Sequence, residues 1–226
     1  MHLLLLGCGK TGSLVAEVAR QRGHSVYLLR SSDNPHPSAL IPAKLASVDV
    51  LVDFTTPDCV LENICACLDA GKSVVVGTTG WYSQIPAIRA QVEQRKIGLL
   101  YGSNFSVGVN LFFDLVRAAK PALQQRYRPH IFERHHATKK DAPSGTAASI
   151  QRILQEGSEV EVEITSFREG EVVGMHELVL DSPNDSIYLC HDAKSRRGFA
   201  EGAVRGAEWL AGKKGFFDFQ EVWWQV

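Results

Sequence analysis

The chain opens on an unbroken apolar run, "HLLLLG" (residues 2–7), that ends in glycine and predicts a strand buried on both faces. "TGSLVAEVARQR" (11–22) then returns Leu14, Val15 and Val18 to one helical face, and Gly23 ends it. "HSVYLLR" (24–30), "VDVLVDF" (48–54), "SVVVGTTG" (73–80) and "IGLLYG" (97–102) predict four further strands. "PDCVLENICACLDAG" (57–71), with proline at its start and glycine at its end, and "IPAIRAQVEQRK" (85–96) predict helices. Only "SSDNPHPSALIPAKL" (31–45) is too broken for a regular element. Strand and helix alternate to about residue 103, the pattern of an α/β fold with an open, doubly wound parallel sheet.

The period then changes. Residues 104–123 read as a long helix interrupted late by Pro121, "HIFERHH" (130–136) alternates like a strand, and "TAASIQRILQEG" (146–157) is an amphipathic helix. Three strand candidates follow without helices between them: "VEVEITSFREG" (160–170), "GMHELVLDS" (174–182) and "SIYLCHD" (186–192). That run predicts a mixed, largely antiparallel sheet in an α+β domain. "GFAEGAVRGAEWLAG" (198–212) is a closing helix. The expected division is a dinucleotide-type domain over 1–104 and a second domain over 105–197.

Composition narrows the chemistry. The 226 residues carry a formal net charge of −1, which argues against nucleic acid or an anionic membrane surface as partner. Any cationic function is therefore local. Five cysteines, an odd number set mostly in apolar segments, favour free thiols and a cytoplasmic protein. No stretch approaches the length of a membrane span, and the "MHLLLLGCGK" start is too short and too uncharged to read as a signal peptide. No cysteine spacing suits a metal, and none is expected.

"GCGKTG" spans Gly7, Cys8, Gly9, Lys10, Thr11 and Gly12 between a predicted strand and helix. Glycines there permit a tight turn and let helix-start amides approach a pyrophosphate. The second strand ends with Arg30, Ser31 and Ser32, where an NAD-selective site places a carboxylate. A cation and hydroxyls there predict NADPH as the preferred cofactor, with NADH as a second acceptable one. "GTTG" (Gly77, Thr78, Thr79) and "GSNF" (Gly102, Ser103, Asn104, Phe105) close the fourth and fifth strands, where ligands of such sheets bind. Threonine hydroxyls and the asparagine amide are candidates to hold the nicotinamide end.

"ERHHATKKDAPSGTA" (133–147) gathers His135, His136, Lys139 and Lys140 before a helix start at Gly145 and Thr146. Strand alternation points the two histidines to opposite faces, against a two-histidine metal clamp. An imidazole, an ammonium and free helix amides suit a carboxylate or dicarboxylate substrate. Equally open at this point, Asp141 and Ser144 cap the helix while the lysines are solvated.

That block resembles the signature of dihydrodipicolinate reductases, and "DFTTP", "VVGTTG", "SNFSVGVN" and "AKSRRGFAEGAVRGAEWL" resemble other blocks of the family in the same order. The resemblance covers nearly the whole chain. It implies a Rossmann-like cofactor domain, to which 198–226 returns, a substrate domain, and a homotetramer built through substrate-domain sheets. It implies NAD(P)H-dependent reduction of a small cyclic dicarboxylate, 4-hydroxy-tetrahydrodipicolinate, on the diaminopimelate and lysine route. By position, His135 is the implied proton donor or acceptor and Lys139 the proton donor. His136, Gly145 and Thr146 bind substrate, Arg196 and Phe199 approach the cofactor, and 106–110 form a hinge. Relative to the family the glycine loop is shorter, with Lys10 its only nearby cation, and 31–45 and the stretch after the "TAASIQRILQ" helix are abbreviated. Those losses motivate two alternatives: a catalytically weak dinucleotide sensor, or an amino-acid dehydrogenase acting on another imine.

Overall fold

The structure, a computed structural model, describes residues 1–226. Its contacts divide the chain into two units, Met1–Val107 with Arg197–Val226, and Gly108–Arg196. In the first unit the chain runs through β1 (His2–Leu6), α1 (Lys10–Gln21), β2 (Ser25–Leu29), a short α2 (Pro42–Leu45), β3 (Val50–Asp53) and α3 (Pro57–Asp69). It continues through β4 (Ser73–Val76), α4 (Ile85–Arg95), β5 (Gly98–Tyr101) and the first residue of α5 (Val107–Ala119). The second unit holds the rest of α5, then β6 (Arg128–His135), α6 (Gly145–Gln155), β7 (Glu163–Arg168), β8 (Met175–Asp181) and β9 (Ser186–Asp192). α7 (Arg197–Leu210), β10 (Gly215–Asp218) and α8 (Phe219–Val222) belong to the first unit again.

Six parallel strands form the first sheet in the order β10-β5-β4-β3-β1-β2. The leucines and valines of β1, β3 and β4 run consecutively because both faces are covered: α1 and α7 pack on one side, α3 and α4 on the other. Each wholly buried Leu or Val there contributes roughly 1.5–3 kcal/mol. β2 is an edge strand, and none of its five residues is buried. Three short elements depart from the sequence expectation, α8 among them because no element was expected past Gly212. One helical turn, α2, forms inside the segment read as irregular, begun by Pro42 at a position where proline's missing N–H costs nothing. β10 was not expected; four residues long and paired only with β5, it shows too little periodicity to read.

The second unit carries the sheet β7-β6-β8-β9. β6 pairs parallel with β7 and antiparallel with β8, which pairs antiparallel with β9. α5 and α6 cover one face, over a core that includes Phe112, Ile131, Ile150 and Leu178. α5 ends at Ala119, and a 3-10 segment, Lys120–Gln125, carries the chain past Pro121. Inward positions of β6 are apolar at Ile131 and become polar at Glu133 and His135. Register sets Ser166, Glu133, His176 and His191 side by side across the four strands, and Arg168 beside His135. The hydrocarbon layer thus gives way to a polar row at one end of the sheet.

Candidate active site

In the first unit the strand order reverses at β1 and β3, and a cleft of ≈ 700 Å³ lies at their carboxyl ends. Gly7, Cys8 and Gly9 line it from one side, and Arg30, Ser31 and Ser32 from another. Gly7 has φ +95°, and a Cβ on it would sit 2.2 Å from the Phe54 carbonyl oxygen; a Cβ on Gly12 would sit 2.2 Å from the Gly7 oxygen. Only glycine lets the loop press onto β3 while α1 starts directly beneath it. No side chain caps α1 and no acidic residue stands in its first turn, so its amides remain available to an anion. Lys10 and Thr11 form that first turn. The cleft also has an acidic wall, Asp58 and Glu62, with His36 Nδ1 3.7 Å from Glu62.

Below the cleft lies a buried carboxylate that the sequence reading did not assign. Asp53 Oδ1 accepts from the Thr55 amide (3.0 Å), Thr55 Oγ1 (2.7 Å) and Thr78 Oγ1 (2.6 Å). Its Oδ2 accepts from Asn63 Nδ2 at 2.9 Å, and Asn63 Oδ1 accepts from Asn34 Nδ2 at 3.3 Å. Thr78 is therefore buried with its hydroxyl already used, which corrects the expectation that this hydroxyl faces the cofactor. Phe105 is likewise a core side chain, its ring 4.7 Å from that of Phe219. Asn104 Oδ1 accepts from the Ser106 amide at 2.9 Å. Gly77 and Gly102 are pressed against Phe54 and Phe219 respectively, whereas Thr79 and Ser103 are exposed. Phe199 lies half-buried in α7; Arg196, also half-buried, is the last residue of the second unit.

In the second unit the polar row closes around Glu133, which has no exposed surface. Its Oε1 accepts from Ser166 Oγ (2.7 Å), Arg168 Nη2 (2.8 Å) and the Ser144 amide (3.1 Å). Burial alone would raise its pKa, but the hydrogen bonds from Ser144, Ser166 and Arg168 prevail and hold it down at about 2. Its Oε2 lies 3.4 Å from His135 Nδ1 and 3.7 Å from His176 Nε2. The two histidine rings meet edge to face at 5.1 Å. Burial depresses the pKa of His135, and Lys139 and Arg168 depress it further, against the pull of Glu133 and Asp141. Burial, then His135, lowers that of His176 to about 3, so His176 is neutral at physiological pH.

Ser144 caps α6, accepting from the Ala147 amide at 3.2 Å, and its Oγ lies 3.0 Å from His176 Nε2. Gly145 and Thr146 occupy the opening turn, where amides have no intrahelical acceptor. Lys139 Nζ donates to both oxygens of Asp141 (2.7 and 2.8 Å). Of the two open readings, Ser144 does cap the helix, but Lys139 and Asp141 hold each other. His136 is half-buried, its Nδ1 2.8 Å from Thr138 Oγ1, apart from the Glu133 row as alternation predicts. Glu133, His135 and His176 place ligand-type atoms within 4.8 Å of one another. Arg168 already supplies the positive charge there and Ser144 engages His176, so this donor set fits a hydrogen-bonded network better than a cation. Glu133 was legible, two residues before His135 and hence on its face. Ser166, Arg168 and His176 arrive through strand register, which no local spacing reveals.

Two family models match the chain: the dihydrodipicolinate reductase N-terminal domain over residues 1–105 and the C-terminal domain over 108–223. A 4-hydroxy-tetrahydrodipicolinate reductase of Christiangramia forsetii is 35% identical, with 98% of this chain and 97% of the relative aligned. One of Chromobacterium violaceum is 39% identical over 80% of this chain and 75% of the relative. Among solved structures, a dipicolinate-bound dihydrodipicolinate reductase from Paenisporosarcina sp. TG-14 superposes with a TM-score of 0.80 at 22% identity, covering 98% of this chain and 99% of the other. An amine dehydrogenase from Mycobacterium smegmatis gives 0.64 at 10% identity, covering 95% and 93%, which reflects the shared fold. The chain belongs to the dihydrodipicolinate reductase family.

Proposed function

We propose that the protein reduces 4-hydroxy-tetrahydrodipicolinate with NADPH in preference to NADH, as a step toward diaminopimelate and lysine. The observation that carries this reading is the end of β6, where a buried His135 stands beside Lys139 and the open amides of α6. Relatives at 35% and 39% identity bear that enzyme name, and the Paenisporosarcina homologue binds dipicolinate, a cyclic dicarboxylate.

The cofactor cleft suits a dinucleotide in size and in its uncapped helix start. When bound, NADPH would supply the hydride once the 4-hydroxyl and a ring proton have left as water. Gly7 to Gly12 would cradle the pyrophosphate, Arg30 with Ser31 and Ser32 the 2′-phosphate, and the loops Gly77–Thr79 and Gly102–Phe105 the nicotinamide end through backbone. Arg196 and Phe199 complete the cofactor set. His136 and the amides of Gly145 and Thr146 would hold a substrate carboxylate. Lys139 attracts the dianion and donates the proton that follows hydride addition, and His135 relays a proton near neutral pH. The Lys139 ammonium stabilises charge developing on the ring more than charge in the ground state.

All five cysteines are free, which suits a reducing compartment such as the cytoplasm. No helix is long and apolar enough to cross a membrane. Phe167 and Tyr188 stand exposed on the sheet face away from α5 and α6, a surface suited to a homotetramer. Sedimentation resolves that state; a monomer at working concentration removes the tetramer.

The activity is tested by following NADPH oxidation with dihydrodipicolinate synthase generating the substrate. Turnover that requires the synthase is expected. Tight NADPH binding with no oxidation would replace the enzyme by a sensor.

A further inference from the structure

We infer that Glu133 is a positioning residue that fixes His135 as the Nδ1–H tautomer and leaves Nε2 as the atom that exchanges protons with substrate. This rests on the proposed role of His135, and its central test does not need the substrate.

His135 Nδ1 is buried and makes no hydrogen bond of normal geometry. A buried polar atom without a partner costs about 1–3 kcal/mol, so a neighbouring group is expected to serve it. The group that faces it is Glu133 Oε2, 3.4 Å away. Ionised, that carboxylate can only accept, and Ser144, Ser166 and Arg168 keep it ionised. A contact of this length in a ligand-free site closes to about 2.7–2.9 Å as a charge-assisted bond once the site tightens around its ligand.

The opposite edge of the ring tells the same story. His135 Nε2 faces Gly174, where an added Cβ would come within 3.0 Å. The residue beside the reactive nitrogen is thus the one without a side chain. Arg168 adds a second connection: the same Nη2 that binds Glu133 donates to the Asp141 carbonyl at 2.7 Å, and Asp141 binds Lys139. Strand β7 therefore fixes the support of the imidazole and the loop of the ammonium together.

Every charged or titratable group facing His135 is accounted for: Glu133 on its own strand, Arg168 on β7, His176 on β8, and Lys139 and Asp141 in the loop before α6. Among these, Glu133 and Asp141 favour the imidazolium, and only Glu133 is buried. Removing its charge must lower the His135 pKa, whichever way the proton moves in the reaction.

Two measurements decide the matter. Nitrogen NMR of the intact wild-type protein at neutral pH should show His135 Nδ1 protonated and Nε2 unprotonated; the reverse tautomer overturns the inference whether or not the protein is active. In Glu133→Gln the histidine limb of the kcat/KM profile should move to lower pH by about one unit or more, with kcat down about tenfold and KM for substrate changed less. Glu133→Asp, which keeps the charge, should restore most of the limb position. A profile unmoved in a folded Glu133→Gln protein rejects the assignment; if that variant does not fold, the tautomer measurement stands alone.

Discussion

Asn63 reaches across from α3 to donate to Asp53 at the end of β3, two buried side chains joined at 2.9 Å beneath the cofactor cleft. The bond anchors more than a helix to a strand. Through Thr55 and Thr78 it holds the loops after β3 and β4, and through Asn34 the loop after β2.

Asn63→Ala leaves a buried carboxylate oxygen without its donor, at a cost of about 1–3 kcal/mol in denaturant unfolding. Because the network carries the cleft and not the His135 site, KM for NADPH should rise with kcat little changed. Asn63→Asp sets a like charge against Asp53 and should be worse on both measures.

Arg30→Ala removes the cation beside Ser31 and Ser32. The ratio of kcat/KM with NADPH to that with NADH should fall about tenfold, the value of one charge-assisted contact. An unchanged ratio would remove Arg30 from cofactor selection.

Lys139→Ala should lower kcat by about a hundredfold or more, as expected for loss of a proton donor. Equilibrium NADPH binding, read by fluorescence, should be unaltered. Near-normal turnover would exclude the ammonium from the reaction.

Gly174→Ala tests the open edge of His135. The new methyl group crowds Nε2 at 3.0 Å, and a ring displaced by a few tenths of an ångström should lose about tenfold in kcat. Circular dichroism should remain that of the parent.

Acid stability follows from two depressed pKa values. His176 lies at about 3 in the folded protein against an ordinary 6.5, so the unfolded chain takes up its proton first. Its contribution is complete above pH 6.5 and is lost as pH falls toward 3. Glu133, at about 2 against 4.5, loses its contribution from pH 4.5 downward. The unfolding free energy from urea titration should therefore begin to fall near pH 6.5, by up to about 1.4 kcal/mol per pH unit from His176. In His176→Gln that first slope should become shallower, the remainder belonging to His135, whose pKa is likewise depressed, while the slope below pH 4.5 persists.

Much of this was written in local sequence. Consecutive apolar residues marked β1, β3 and β4 because full burial leaves no polar face to confuse the period. Glycines 7 and 12 marked the cleft because no other residue fits there. The reading misjudged Thr78 because a threonine at a strand end looks the same whether its hydroxyl faces a ligand or a buried aspartate. Glu133 is legible by alternation, on the face of His135, but a single glutamate in a strand beside so many cations looks like an ordinary charge partner. Arg168 and His176 were invisible for a deeper reason: they meet Glu133 only once three strands are in register.

The shared guanidinium of Arg168 has a bearing on how such a site can change. One side chain serves both the imidazole's carboxylate and the ammonium's loop, so neither can be retuned alone. Substitution by lysine keeps the charge but loses the planar group whose Nη2 spans the two acceptors while its Nη1 holds the Phe167 carbonyl. Variants of Glu133 and Asp141 should accordingly be strongly non-additive, and a lineage that altered this corner would have to replace its parts as a set.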